Sequence, residues 1–145
     1  MERNQLLDAT IAACRNLIET RFPDDPSRGA AAVLLDDGTI LTGTSPDFAN
    51  SSVELCHEAE PYCAAFRLDR AVVASLCLHR TEEGRFLVLS PCGVCRERLA
   101  GHGPDVLVAV PGASDPTTVR WVTLREALPH YWASIFPEDT PEWAS

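Results

Sequence analysis

The sequence lacks any apolar run of the ~18 residues that a membrane-spanning helix needs, and its polar first ten residues lack the apolar core of a secretory signal peptide. It also lacks lysine: twelve arginines oppose 21 acidic residues, for a formal net charge of −9. Its largest basic cluster is the pair Arg96 and Arg98, whereas a polynucleotide binder presents a basic face to the phosphates. We therefore expect a cytoplasmic protein whose partners include neither a nucleic acid polymer nor a membrane.

Length and composition predict one globular domain over residues 1–145, with a tail rich in proline and aromatic residues over 132–145. Domains most often contain ~100–150 residues, and 46% hydrophobic with 23% charged residues is near the average for soluble domains. A chain of this length buries enough surface to need no disulfide. Its six cysteines are therefore better explained by metal binding or redox chemistry.

The spacing of apolar residues predicts the order of helices and strands. An apolar stripe from Leu7 to Ile18 indicates an amphipathic helix over residues 2–22. Asp37-Gly38 predicts a two-residue hairpin turn in which both residues adopt positive φ. Further helices are expected over 56–69, 92–100 and 124–132, strands over 30–35, 39–42, 71–78, 106–110 and 117–122, and an extended segment over 86–89. Strands separated by helices favour parallel pairing, so we expect a three-layer α-β-α sandwich with a five-stranded mixed sheet.

Two cysteine motifs carry the chemistry. Cys92 and Cys95 form a C-x-x-C pair after Pro91, at the start of a predicted helix. Alone, this pair would also suit a thiol–disulfide oxidoreductase, because the helix dipole stabilises a thiolate there. A second motif, Cys56-His57-Glu58, lies 36 residues earlier, also at a predicted helix start. Together the two motifs form the three-cysteine signature of the zinc deaminases.

The geometry of two adjacent helix N-termini favours a catalytic zinc site. Cys56, Cys92 and Cys95 can reach one tetrahedral ion and leave its fourth position to water. A structural site would need a fourth protein ligand, for which the candidates are the histidines His57, His79 and His102. Glu58 could be a solvated first-turn acid that complements the helix dipole, but its spacing to Cys56 favours a catalytic role.

Residues 30–130 resemble a cytidine deaminase of the small homotetrameric branch, which also includes blasticidin S deaminase. SPCGVCRERL (90–99) is similar to the second zinc motif of that branch, and TLREALPHYW (123–132) resembles its C-terminal helix. The resemblance implies a Zn²⁺ cofactor, a homo-oligomer (tetramer or dimer) and hydrolytic deamination of a cytosine nucleoside with release of ammonia. It leaves open whether the reaction serves pyrimidine salvage or antibiotic detoxification.

The resemblance also implies roles for individual residues. Glu58 would carry a proton from water to the base and then to the leaving amine. The backbone carbonyl of Ser90 would accept a hydrogen from that amine, and the backbone N–H of His57 would face the pyrimidine carbonyl. Ser45 and Asp47 occupy the positions at which the family binds the sugar hydroxyls, although Ser45-Pro46-Asp47 is also typical of a simple turn.

Two departures from the family pattern bear on the substrate and the metal. Ser45 and Asp47 are shorter than the asparagine and glutamate typical of the family, so a modified cytosine nucleoside or a nucleoside antibiotic is an alternative substrate. Three thiolates around Zn²⁺ leave a negative centre, which the family offsets with an arginine after the glutamate or between the paired cysteines. This sequence has Ala59 and Val94 there, so His57 or Arg96 is expected to take that role. A non-catalytic zinc-stabilised module is the remaining alternative.

Overall fold

A computed structural model of the protein describes residues 1–144, so Ser145, the last residue of the predicted tail, lies outside the described residues. The strands are β1 (Arg28–Leu35), β2 (Ile40–Gly43), β3 (Val72–Arg80), β4 (Phe86–Leu89), β5 (Leu107–Pro111) and β6 (Val119–Thr123). The α-helices are α1 (Arg3–Arg21), α2 (Ala59–Arg67), α3 (Gly93–Ala100) and α4 (Leu124–Ala127). Short 3₁₀ turns lie at Ser51–Val53, Trp132–Ile135 and Pro141–Trp143.

The strands form one mixed sheet in the order β2-β1-β3-β5-β6, with β4 paired to β3. Only the β3–β5 pair is parallel among the described strands. The expectation of five strands was wrong by one, because the segment Phe86–Leu89 pairs antiparallel with β3. With nine residues, β3 is long enough to pair β5 along its first half and β4 along its second half.

Helices cover both faces of this sheet, which confirms the predicted three-layer sandwich. Strand β1 is buried over Gly29–Leu35, as expected for a strand covered on both sides. Its alternate residues Ala30 and Ala32 pack in the cluster that contains Cys14 and Ile18 of α1. Its other face packs on α2 and α3 in a second cluster, which contains Val33, Leu35, Tyr62, Ala65, Cys95 and Leu99. The sheet therefore separates α1 from the two helices that carry the cysteine motifs.

Three boundaries differ from the sequence-based expectation. Helix α2 begins at Ala59, which places Pro61 in the first turn, where a missing backbone N–H costs little. The last helix ends at Ala127 rather than Trp132, because Pro129 cannot continue it. The β1–β2 turn has positive φ only at Gly38 (+87°), so the two-residue turn predicted there was wrong and a longer loop with one left-handed glycine connects the strands.

The C-terminal tail folds back onto α3. Trp143 is 4% exposed, and its indole Nε1 donates to the Ala100 carbonyl at 3.0 Å. Tyr131 packs against Trp143 with ring centroids 4.8 Å apart. Ala133 and Trp143 of the tail therefore belong to the core on the α3 side of the sheet. Across residues 1–144, no helix combines the length and apolar character that crossing a membrane requires.

Candidate active site

The three predicted cysteine ligands converge at the N-termini of α2 and α3. Cys56 precedes α2, Cys92 is the N-cap of α3 and Cys95 lies in its first turn. Their Sγ atoms all lie within 4.8 Å of one another, and the Cys56 and Cys92 Sγ atoms are 3.5 Å apart. A tetrahedral zinc ion with Zn–S distances of about 2.3 Å places its sulfur ligands about 3.8 Å apart. This set of three thiols therefore fits a zinc ion.

The three thiols differ in their electrostatic surroundings. Burial raises the thiol pKa of Cys95, and the nearby charge of Glu58 raises that pKa further. Burial also raises the thiol pKa of Cys56. For Cys92 the effect of burial is outweighed by hydrogen bonds from the backbone N–H groups of Cys95 and Val94, so its thiol pKa is lowered. The helix N-terminus thus favours a thiolate at the most exposed member of the cluster.

None of the candidate fourth ligands joins the cysteine cluster within residues 1–144. His57 Nδ1 is 2.8 Å from Ser45 Oγ, and His79 Nε2 is 3.1 Å from Ser27 Oγ. His102 Nδ1 accepts from the backbone N–H of Val72 at 3.1 Å. The protein donor set is therefore three thiols, which leaves a tetrahedral ion one position for a small molecule. Cys56 also belongs to this cluster, although a dithiol oxidoreductase would need only Cys92 and Cys95.

Glu58 lies at the N-cap of α2 and is 5% exposed. Its neighbours Glu54 and Glu60 are exposed, as is usual for acids near a helix start. Within the described residues, Glu58 takes part in no ion pair. Because burying a carboxylate without a cationic partner costs free energy, its position beside the thiols calls for a functional explanation.

A cavity of about 290 Å³ is lined by three of the predicted substrate residues, Ser45, Asp47 and His57. Arg28 and His79 also line it, and sequence reasoning had assigned neither of them to the site. A larger cleft of about 470 Å³ shares Ser45 with it and adds Cys56 and the outer face of α2. Three of the residues predicted to contact the substrate thus line the smaller cavity, and one of them lines the larger cleft.

The Asp47 carboxylate has a partner within the chain. Its Oδ2 accepts from Arg28 Nη1 at 2.9 Å, and Arg28 Nε donates to Asp25 at 2.6 Å. The Asp47 side chain remains 79% exposed in spite of this contact. No motif in the sequence connects these three residues; the start of β1 brings them together.

Comparison with known proteins places the chain in a family. The crystal structure of the cytidine deaminase from Bacillus anthracis is 37% identical, with 95% of this chain and 98% of that chain covered and a TM-score of 0.85. The chain belongs to the cytidine deaminase family. Cytidine deaminase from Mycobacterium tuberculosis (strain ATCC 25618 / H37Rv) is 34% identical over an alignment of 88 residues. The match covers 54% of this chain and only 56% of that curated relative's length.

A second solved structure is more distant. The crystal structure of cytidine deaminase from Mycobacterium leprae is 26% identical, with 90% of this chain and 99% of that chain covered and a TM-score of 0.60. No protein-family model matches the chain. Membership of the cytidine deaminase family therefore rests on the solved structures and the curated relatives.

In this member of the cytidine deaminase family, a histidine side chain stands between the first cysteine and the glutamate. The His57 ring packs against the start of β1, where a Cβ on Gly29 would lie only 2.6 Å from His57 Nε2. Only glycine leaves room for the ring at that place in the strand. Burial lowers the pKa of His57, which favours the neutral imidazole.

The two remaining predicted residues flank the C-x-x-C motif. Ser90 is exposed and links β4 to Pro91. Arg96 follows Cys95, and its Nη1 donates to the Ala127 carbonyl at 2.8 Å. Arg96 Nε is buried and has no hydrogen-bond partner among residues 1–144. The guanidinium of Arg96 thus has a buried donor available next to a cysteine of the cluster.

Proposed function

We propose that this protein is a zinc-dependent hydrolytic deaminase that converts a free cytosine nucleoside, cytidine or deoxycytidine, into the uracil nucleoside and ammonia. The observation that carries this proposal is the cluster of three thiols within 4.8 Å of one another beside the buried Glu58. The likeness to the cytidine deaminase from Bacillus anthracis supports it over nearly the whole chain.

Cys56, Cys92 and Cys95 would hold the zinc ion through their thiolates. A zinc ion held there activates water as a nucleophile near neutral pH. The positive ends of the α2 and α3 dipoles offset part of the negative charge of three thiolates. For the rest we infer that Arg96 is a better candidate than His57, because its buried Nε is available and burial favours the neutral form of His57.

Glu58 is the proposed proton carrier. Its carboxylate accepts a proton from the attacking water and delivers it to N3 of the base. It then takes the proton of the hydroxyl newly formed on C4 and delivers it to the exocyclic amine, so that ammonia leaves and C4 becomes a carbonyl. Water supplies the oxygen that replaces the amine nitrogen, so cytidine and water give uridine and ammonia. The buried position of Glu58 supports this role, since it limits proton exchange with bulk solvent.

Four further residues would orient the nucleoside. The backbone N–H of His57 donates to the pyrimidine carbonyl, and the backbone carbonyl of Ser90 accepts from the exocyclic amine. Ser45 and Asp47 face the sugar. These roles come from the family resemblance, and the shared cavity of Ser45, Asp47 and His57 supports them.

One observation favours a second substrate class, a modified cytosine nucleoside or a nucleoside antibiotic such as blasticidin S. Ser45 is hydrogen-bonded to His57 and Asp47 to Arg28, so both side chains already have partners within the chain. A site that must hydrogen-bond ribose hydroxyls would have to break or share these contacts. Breaking these hydrogen bonds costs free energy, which lowers the net gain in binding from the hydroxyls of an unmodified ribose.

Ammonia release from cytidine, deoxycytidine and blasticidin S by the zinc-loaded protein tests both candidates. We expect turnover of at least one compound, and the largest kcat/KM identifies the substrate class. The Asp47→Ala variant serves as the specificity control. It should change the preference among the three compounds, measured as the ratio of their kcat/KM values, more than it changes the total activity. Lack of turnover of all three compounds at one zinc per chain would contradict the proposed function.

We also propose that the protein is a homo-oligomer, a tetramer or dimer, in which the tail helps to close a neighbouring site. Trp132, Ile135 and Phe136 of that tail are 65%, 75% and 41% exposed. Exposed apolar side chains at this density favour a protein contact over solvent. The molar mass in solution should therefore exceed that of one chain, and a strictly monomeric protein with full activity would contradict the shared site.

The proposed location is the cytoplasm. All six cysteines are free thiols, which a reducing compartment preserves. The net charge of −9 supports a small-molecule substrate over a nucleic acid polymer or an anionic membrane surface.

A further inference from the structure

The guanidinium of Arg28 connects three segments of the chain beside the cavity that Ser45 and His57 line. Arg28 is the first residue of β1, so its backbone is held by the sheet. Its Nε donates to Asp25 Oδ2 at 2.6 Å, in the loop after α1. Its Nη1 donates to Asp47 Oδ2 at 2.9 Å, in the loop after β2. Of the two carboxylates that Arg28 contacts, only that of Asp47 belongs to a residue of the cavity wall.

The loop after α1 has other anchors besides the Arg28–Asp25 contact. Arg80 pairs with Arg28 across β1 and β3, and its Nη2 donates to the carbonyls of Phe22 and Asp25, the latter at 2.7 Å. These contacts remain when the Arg28 side chain is changed. Holding this loop therefore does not by itself account for the place of Arg28 in the cavity wall.

The Asp47 carboxylate depends more strongly on Arg28. Asp47 lies in a segment without regular secondary structure, and its side chain is 79% exposed. A carboxylate on such a segment samples several rotamers, and fixing one of them on binding a ligand costs conformational entropy. Arg28 engages Oδ2, whereas Asp47 Oδ1 has no hydrogen-bond partner among residues 1–144. A carboxylate held through one oxygen can still accept a hydroxyl group with the other.

We propose that Arg28 is a positioning residue that holds the Asp47 carboxylate in the orientation from which Oδ1 accepts a hydrogen bond from a sugar hydroxyl of the nucleoside. This inference rests on the proposed function, in which Asp47 faces the sugar. A side chain fixed before the ligand arrives loses less conformational entropy on binding. Arg28 therefore acts on nucleoside binding and not on proton transfer. An exposed ion pair adds little to stability, so Arg28 has only a minor effect on the fold.

Direct binding of an anionic substrate group, such as the phosphate of a nucleotide, is the competing role for Arg28. The surrounding charges oppose it. Arg28 is the only arginine that lines the cavity within residues 1–144, and two carboxylates already occupy its Nε and Nη1. Glu54 also lines the cavity, is exposed and forms no ion pair in the described part of the chain. Three carboxylates against one guanidinium disfavour a phosphate group at this wall.

A double-mutant cycle on the zinc-loaded protein tests whether Arg28 acts through Asp47. We expect Arg28→Gln to raise KM for cytidine about tenfold, because the hydroxyl contact is weakened, and to change kcat less than about twofold. In the Asp47→Ala background the same change should raise KM less than about twofold, because no carboxylate is left to orient. Multiplied KM effects in the double variant, or a loss confined to kcat, would overturn the proposal.

Two further variants separate positioning from a general effect of charge. Arg21→Gln removes another guanidinium that lies over the Phe22 ring, 4.8 Å from its centroid, but Arg21 does not line the cavity. It should keep KM and kcat within about twofold. Arg28→Lys keeps a cation for Asp47 and should recover part of the loss in KM. Equal KM increases in Arg21→Gln and Arg28→Gln would overturn the proposal. So would a wild-type preference for cytidine 5′-monophosphate over cytidine that Arg28→Gln removes, since it would assign Arg28 to phosphate binding.

A binding measurement tests the contact without relying on turnover. Calorimetric titration should show that the zinc-loaded protein binds uridine more tightly than 2′,3′-dideoxyuridine, and that Arg28→Gln removes most of this difference. Equal affinities for the two compounds in the wild-type protein, or a difference that Arg28→Gln leaves intact, overturn the positioning role whatever the activity. If cytidine releases no ammonia but uridine binding depends on both the hydroxyls and Arg28, the proposed function fails while the positioning role stands.

Discussion

Replacing Glu58 with glutamine should reduce ammonia release from the preferred nucleoside by about 10³-fold or more, while zinc content and fold stay unchanged. Removal of a general acid–base typically costs about 10²–10⁴-fold, and Glu58 is asked to move a proton at two points of the reaction. Glutamine keeps the size and hydrogen-bonding shape of the side chain but can neither accept nor deliver that proton. The measurement is kcat/KM at one zinc per chain, with circular dichroism to check the fold.

Glu60→Gln is the matched control for this prediction. Glu60 belongs to the same first turn of α2, but it is exposed and its Oε1 accepts from the backbone N–H of Thr44 at 3.2 Å. We expect Glu60→Gln to keep kcat within about threefold, since exposed polar substitutions have small effects. Equal losses in Glu58→Gln and Glu60→Gln would show that charge at the helix start matters and that proton transfer by Glu58 does not.

Loss of one cysteine ligand should abolish both zinc retention and turnover. Cys92→Ser replaces a thiolate, which the helix N-terminus favours, with a hydroxyl that zinc binds far less well. We expect less than about one-tenth of the zinc of the wild-type protein after dialysis, and no measurable ammonia release. Chelation of the wild-type protein should give the same inactive state, with activity restored by added Zn²⁺. Metal analysis alongside the ammonia assay measures both effects.

Cys63→Ser is the control for the zinc prediction, because Cys63 is an exposed thiol of α2 that lies outside the cluster. It should retain zinc and activity. Arg96→Ala should retain the fold but lose zinc faster, if its guanidinium offsets the charge of the thiolates. Full activity of metal-free protein, or one zinc per chain in Cys92→Ser, would contradict the proposed metal site.

Patterns local in sequence accounted for much of the fold. The amphipathic helix α1 and the β1–β2 hairpin both lie where local spacing placed them, although the turn of the hairpin is longer than predicted. A helix or a hairpin depends mainly on neighbours in sequence. The pairing of Phe86–Leu89 with β3 was missed, although the two strands are consecutive and form a hairpin across residues 81–85. The predicted strand over 71–78 ended two residues before β3 does, which left the ends of the hairpin unpaired. The last helix was predicted too long, since Pro129 overrode the apolar pattern of 124–132.

The metal-ligand candidates could also be predicted from sequence, since the residue spacing within two motifs at helix N-termini determines how their side chains are placed. The surroundings of those residues could not. The contact of Gly29 with the His57 ring and that of Arg28 with Asp47 each join residues from different segments of the chain. The spacing of residues along the chain does not predict such contacts.

The sequence by itself thus determined the kind of chemistry, because ligand type and spacing select zinc and a nearby carboxylate. Only the tertiary structure decided what surrounds that chemistry. The register of β1 against β3 pairs Gly29 with His79, and the glycine leaves the space that the His57 ring occupies. Register is set by the packing of the whole sheet, and a shift of one residue would turn the side chains of a strand to the opposite face.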